Sequence, residues 1–177
     1  MYYAPDPYYG YMPMCNCQRQ LMYQSMENSR NNYWPQRNDH NWIQLRDHGK
    51  EPYVVNIENA AEQNHAFRTA LWTGDHLQVV LMSIDVGEDI GLEVHPNTDQ
   101  FLRIEEGQGF VQMGNSRNNL TFQRRVREDD AIMVPAGTWH NLTNTGNEPL
   151  KLYTIYAPPE HPFGTVQQTK AEAMAAE

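Results

Sequence analysis

Glu93 and His95 stand two residues apart in a stretch that reads as extended backbone between Gly87 and Gly107. Alternate residues of a strand share a face, so the carboxylate and the imidazole project together while Val94 turns away. A second stretch, Pro135-Ala-Gly-Thr-Trp-His140, opens on the turn formers Pro135 and Gly137 and then delivers His140 from a different strand. One carboxylate and two imidazoles meeting from two segments form a donor set for a divalent first-row metal ion, and with no thiolate among them soft ions are not favoured. Zinc, manganese, iron(II), cobalt and nickel all fit such a set.

The two stretches resemble the paired sequence motifs of the cupin superfamily. The first motif is a glycine, a ligand, a histidine two positions on, a third ligand and a closing glycine, and its spacings hold from Gly87 to Gly107. The second, Pro-x-Gly-x-x-His-x-x-x-Asn, is matched from Pro135 to Asn144, with Asp129 where the family usually has an opening glycine. Two motifs at compatible separation are far more specific than either alone. The resemblance spans roughly residues 72–158 and implies a double-stranded β-helix, the jelly-roll barrel of the cupins, holding one divalent metal ion. It also implies a ligand quartet of Glu93, His95, Gln100 and His140, with Glu93 in place of the usual first histidine and Gln100 in place of the usual glutamate. Type I phosphomannose isomerases are cupins with a similar inventory of two histidines, one glutamate and one glutamine. Glu93, His95 and His140 alone also match the 2-His-1-carboxylate set of non-haem iron oxygenases. Cupins that have lost their metal keep the barrel and fill the site with hydrogen-bonded polar side chains.

Short strands separated by turn signals must position these residues. Tyr53–Ile57 is predicted as a strand, Glu58–Asn64 as a helical turn, Ala70–Thr73 as a strand ended by Gly74-Asp75, and His76–Val86 as a longer strand. Further strands are predicted at Gln100–Glu105, Gly109–Met113, Leu120–Val126, Ala131–Val134, Trp139–Thr143 and Leu150–Ala157, with loops of turn-forming residues at 115–119 and 144–147. So many strands with so little helix specify an all-β barrel. Interior and exterior positions alternate along a barrel strand, so Gln100, Leu102 and Ile104 share the inner face and Phe101, Arg103 and Glu105 the outer. Phe101 then needs cover, either from the segment Trp42–Ile57 or from a second subunit; the family resemblance implies a homodimer.

Residues 1–40 differ in character from residues 41–177, which hold the barrel. They carry seven of the ten tyrosines and five of the nine methionines, one Leu, and neither Val nor Ile. Such a segment buries too little apolar surface to offset the entropy of ordering it, so a flexible arm is expected. Cys15 and Cys17, too close for an easy disulfide and too few for a structural zinc site, are expected to be exposed thiols. Arms of this composition resemble those of bacterial spore-coat proteins. The net charge of −9 argues against a nucleic-acid partner, since the one basic cluster, Arg124-Arg125-Val-Arg127, runs straight into Glu128-Asp129-Asp130. With no stretch long and apolar enough to span a membrane and no signal-peptide pattern at the start, a cytoplasmic protein is expected, with a spore coat as the alternative location.

Three functions fit. A Lewis-acid metal would let a nearby base move a proton between adjacent carbons of a sugar, making the chain an isomerase or epimerase of a small sugar or sugar phosphate. The facial triad would instead make it an iron dioxygenase, and a binding or structural cupin is the third reading. Glu88, His76, Tyr153 and Tyr156 are the candidate bases; Tyr153 and Tyr156 point to opposite faces of one strand, so one at most looks inward. Arg68, Arg103 and Lys151 are candidate phosphate anchors, each expected to lie on the surface.

Overall fold

The computed structural model describes residues 42–176. The arm of residues 1–40, with Cys15 and Cys17, lies outside the described residues. The compact unit that holds the barrel starts at Ile43.

Strands β1 (Arg68–Thr73), β2 (Gln78–Ile84), β3 (Asp99–Glu106), β4 (Gln108–Gly114), β5 (Phe122–Arg127), β6 (Ala131–Val134), β7 (Trp139–Asn144), β8 (Leu150–Ala157) and β9 (Val166–Gln167) make two sheets. One runs β6-β3-β8-β2-β1-β9 and the other β5-β4-β7. Every pairing is antiparallel. The two sheets close on a shared apolar interior that includes Val80, Met82, Leu102, Ile104, Val111, Leu142 and Leu152, so the expected all-β double-stranded β-helix is what forms. Gln100, Leu102 and Ile104 do point inward, at 3%, 1% and 0% exposure. One transverse row of the larger sheet reads Val134–Gln100–Tyr156–Gln78 across β6, β3, β8 and β2. These residues sit at the level of the candidate site, and the next row, Ile132–Leu102–Thr154–Val80, forms its largely apolar floor.

The stretch Tyr53–Ile57 is not a strand. Its alternation is real, because Tyr53, Val55 and Ile57 pack with Ile43 and Leu45 on the outer face of the larger sheet, against Leu71, Leu81 and Tyr153, while Val54 is 85% exposed. Alternation reports a one-sided burial pattern; a strand also needs a neighbour's hydrogen-bonding edge, and this segment lies across the sheet face instead. It leads into helix α1 (Ile57–Gln63), where Asn56 caps the first turn by accepting from the Asn59 N–H and Ala60 and Ala61 close against the sheet. Among the described residues, cover for the outer face starts at Ile43, and Trp42 is 90% exposed. Phe101 rests against Tyr153, ring centroids 6.1 Å apart.

After β8 the chain returns to pair β9 with β1 and ends in helix α2 (Lys170–Ala176), two elements the sequence pattern did not reveal. Two candidate phosphate anchors are interior rather than surface groups. Arg68, 2% exposed, shares the inward register of Met82 and donates to Gln167 Oε1 at 2.8 Å. Lys151, 4% exposed, donates to the Asn64 carbonyl and lies 3.4 Å from His65 Nδ1. Arg103 does lie outside, paired with Glu105 and Asp129.

Candidate metal centre

The two motif segments meet through a backbone bridge. Glu93 N–H donates to the His140 carbonyl at 3.1 Å and His140 N–H to the Glu93 carbonyl at 2.9 Å, although Glu93 lies outside any named strand. The Pro135–Thr138 turn is fixed to the same place by Gly137 N–H on the His95 carbonyl (2.8 Å) and Ala136 N–H on Asp99 Oδ1 (2.8 Å). Gly137 takes φ +76°, a conformation glycine reaches at no steric cost.

Within this frame one oxygen of Glu93 faces two ring nitrogens. Glu93 Oε1 lies 3.3 Å from His95 Nε2 and 3.3 Å from His140 Nε2. A ligand atom from each of the three residues can be chosen so that all lie within 4.8 Å of one another, and among the described residues this is the one cluster of three or more His, Cys, Asp or Glu able to hold a metal ion. Burial would raise the Glu93 pKa, but the two imidazoles beside its oxygen, His140 and then His95, outweigh it and hold the carboxyl down at about 2. The site therefore carries a carboxylate at neutral pH. Burial pulls His95 the other way, yet Glu93 and then Glu160 raise its pKa above the ordinary histidine value.

Both imidazoles have their outer nitrogen occupied. His140 Nδ1 lies 2.9 Å from the Thr138 carbonyl, which can only accept, so Nδ1 carries the hydrogen and Nε2 presents its lone pair. His140 Nε2 is buried without a hydrogen-bond partner among the described residues. Gln100, on the inward row, gives its amide nitrogen to Thr154 Oγ1 at 3.1 Å, which leaves Oε1 buried and likewise unpaired. Unpaired buried acceptors cost free energy unless something else meets them. His140 Nε2 beside a carboxylate and a second imidazole, with the free amide oxygen of Gln100 on the inward row that carries Tyr156, has the donor chemistry that suits a divalent ion, so these residues fit the group the sequence motifs imply.

Of the candidate bases, Tyr156 is the one at the site. It is 1% exposed, with its ring edge-on to His95 at 5.5 Å, and burial followed by the Glu93 charge raises its pKa, so it stays protonated. Tyr153 faces outward against Phe101, His76 is exposed, and Glu88 pairs with Lys170 at 3.4 Å. Two neighbours went unpredicted. Glu160 Oε1 lies 3.1 Å from His95 Nδ1, and the His161 ring sits edge-on to Tyr156 at 5.0 Å. Burial, then the charge of Arg68, lowers the His161 pKa to about 4. Both follow Pro158-Pro159 directly, so the one sequence signal was a Glu-His pair placed where β8 ends at the ligand end of the barrel.

The family model described as Cupin domain matches residues 80–156. The uncharacterized protein YrkC of Bacillus subtilis is 68% identical over 133 residues, covering 75% of this chain and 72% of that relative. An uncharacterized protein of Acanthamoeba polyphaga mimivirus is 38% identical, covering 68% and 74% of the two chains. The solved structure of BH2720 from Bacillus halodurans, 69% identical, superimposes with a TM-score of 0.73 over 74% of this chain and 99% of that one.

Proposed function

The chain belongs to the cupin superfamily, and on that premise we propose that it is a metal-binding cupin in which Glu93, His95, Gln100 and His140 hold one divalent ion. The observation that carries this reading is the cluster of Glu93, His95 and His140 with two buried acceptors that find no hydrogen-bond partner among the described residues, Gln100 Oε1 and His140 Nε2, where Glu93 is ionised. We propose further that the site isomerises or epimerises a small sugar or sugar phosphate. A bound divalent ion supplies Lewis acidity toward a carbonyl oxygen. The chain's own groups supply the rest: Tyr156 donates a hydrogen bond through a hydroxyl that burial keeps protonated. His161, neutral at physiological pH and with Nε2 unpaired among the described residues, accepts the proton that moves between carbons. Arg68, an interior cation whose charge acts on both Tyr156 and His161, favours an anionic substrate.

Elemental analysis of the purified protein, followed by an anaerobic screen of aldose and ketose phosphates, tests the reading. The expected result is one divalent ion per chain and interconversion of an aldose–ketose or epimer pair without oxygen. Stoichiometric metal with turnover only in the presence of iron(II) and oxygen would favour the second reading, a non-haem iron dioxygenase. That alternative rests on the same cluster, because Glu93, His95 and His140 alone make up a 2-His-1-carboxylate set. A protein that takes up no metal would leave a binding cupin.

A further inference from the structure

Strands β5 and β6 are edge strands of different sheets, and no ladder joins them: β5 pairs with β4, and β6 with β3. The turn at 128–130 ties them together at one end, and the barrel wall opens away from it. Burial follows the opening. The inward positions of β5 are Phe122, Arg124 and Val126, because they stand opposite Met113, Val111 and Gly109 on β4, and Val111 and Met113 face the interior. Val126, nearest the turn, is 8% exposed, Arg124 is exposed, and Phe122, farthest from it, is 44% exposed. The four residues of β6 reach about 13 Å, against about 20 Å for the six of β5, so β6 cannot cover that inner face along its whole length. A groove of about 340 Å³ results, floored by Val111, Met113, Val126 and Ile132, with Phe122 and Met133 exposed beside it.

An arginine at an inward strand position sits poorly among apolar side chains unless an anion meets it. Arg124 Cζ lies 4.8 Å from the centre of the Phe122 ring, and its Nη1 donates to the Gln123 carbonyl at 2.8 Å. A guanidinium has five N–H donors, and among the described residues neither Arg124 nor Arg125, which also lines the groove, pairs with a carboxylate. The acid of the groove, Asp130, turns its Oδ2 to the Arg127 N–H at 2.9 Å. Stacking on Phe122 holds the Arg124 fork over the apolar floor, and such a fork matches the two oxygens of a carboxylate. The net charge of −9 repels anions from the molecule at large, so recognition here depends on the guanidinium at close range. The volume suits a small ligand.

We infer that the seam between β5 and β6 is a binding site for a small monocarboxylate with a linear apolar chain, its carboxylate on Arg124 and its chain over Val111, Met113, Val126 and Ile132. The site needs no metal, although Met113 stands opposite His140 in the β4–β7 register. Titration of the full chain with butanoate, hexanoate and octanoate at one ionic strength, followed by NMR of the Arg124 Nε–H and the Phe122 ring, tests it. Both signals should shift, and affinity should rise about fourfold for each CH₂ that enters the groove. Hexanamide, of the same shape without the charge, should bind at least about tenfold more weakly than hexanoate, and hexanoate should lose as much on Arg124→Gln. The amide comparison uses the parent protein, so it stands whether or not the variant folds. Equal affinities for butanoate and octanoate, or for hexanoate and hexanamide, overturn the inference. So do shifts confined to Tyr156 and His161, which would put the carboxylate at the metal centre. Phe122 signals that move on dilution but ignore the carboxylates would put a second copy of the chain in the groove and overturn it as well.

Discussion

Asp129 turns the chain between β5 and β6 at φ +71°, and it stands where the cupin motif has glycine. Aspartate is among the few side chains that accept this left-handed conformation at modest cost, which accounts for its holding a glycine's place. Its side chain also pairs with Arg103, an exposed contact of little worth. Asp129→Gly should therefore change stability by less than about 1 kcal/mol, while Asp129→Val, β-branched at positive φ, should lose about 1–2 kcal/mol by denaturant titration. Equal midpoints for the two variants would refute the backbone argument. At the centre itself, exchanging the two departures from the usual quartet should move metal affinity in opposite directions. Glu93→Gln removes the anionic member of the set and should weaken binding by about tenfold or more, since changes outside the ligand shell already cost that much. Gln100→Glu adds a carboxylate and should bind at least as tightly, yet turn over more slowly because a more strongly donating ligand set lowers Lewis acidity. Identical zinc, manganese and iron(II) titrations for both variants would remove the two side chains from the ligand set. His95→Ala and His140→Ala should each lose stoichiometric metal, as elemental analysis would report.

Helix α2 illustrates how an element can form without a signal of its own. Seven residues are too few for a stable isolated helix, so Lys170–Ala176 depends on docking. Ala173, 1% exposed, seats against the barrel interior, and Lys170 reaches Asp89 at 2.6 Å and Glu88 at 3.4 Å. Burial raises the Asp89 pKa, but the hydrogen bonds from Lys170 and the Gly91 N–H bring it below the ordinary aspartate value. Lys170, against its own burial, is raised above the ordinary lysine value. Asp89 thus contributes stability above the unfolded carboxyl pKa, lost as pH falls through its lower folded value. Lys170 contributes below the unfolded amine pKa, lost as pH rises through its higher folded value. Lys170→Met should then cost less than about 1 kcal/mol between those limits and nothing in acid, as urea titrations across pH would show. A cost that persisted in acid would point to packing by the lysine stem instead. By contrast Ala173→Leu should cost about 1–3 kcal/mol at any pH, because it forces volume into a filled interior.

For the whole molecule, the outward row Met133–Phe101–Ile155–Val79 runs across four strands, with Met133 63% exposed at its β6 end. This row is the surface through which we propose the homodimer associates. Met133→Lys, at an exposed site that no core contact depends on, should convert a dimer to a monomer by light scattering; a monomeric parent would reject the interface. Among the described residues the first packed on the sheet are Ile43 and Leu45, and removing residues 1–40 should leave one cooperative unfolding transition with an unchanged midpoint. A broadened transition would show that those residues contribute to the barrel.

The residue types and spacings of Gly87–Gly107 and Pro135–Asn144 by themselves carried the barrel, the inward face of Gln100, Leu102 and Ile104, and the meeting of Glu93, His95 and His140. Period-two burial and turn chemistry are local, and two such segments at compatible separation leave few ways to fold. Local pattern also specified α1 and the bounds of β6 and β8, apolar runs closed by Asp130 and by Pro135 and Pro158. It misread Tyr53–Ile57, because one-sided burial does not reveal whether a strand edge is available. It also set Arg68 and Lys151 outside, because charge alone cannot show that Gln167, Asn64 and His65 wait as partners in the interior. The orientation of His140 was latent in its own strand end, through Thr138. The pairing of His95 with Glu160 was not, since Glu160 reaches it only after β8 has ended and Gln78 has fastened the following loop across the sheet, a contact between positions far apart in the chain that only the closed barrel brings together.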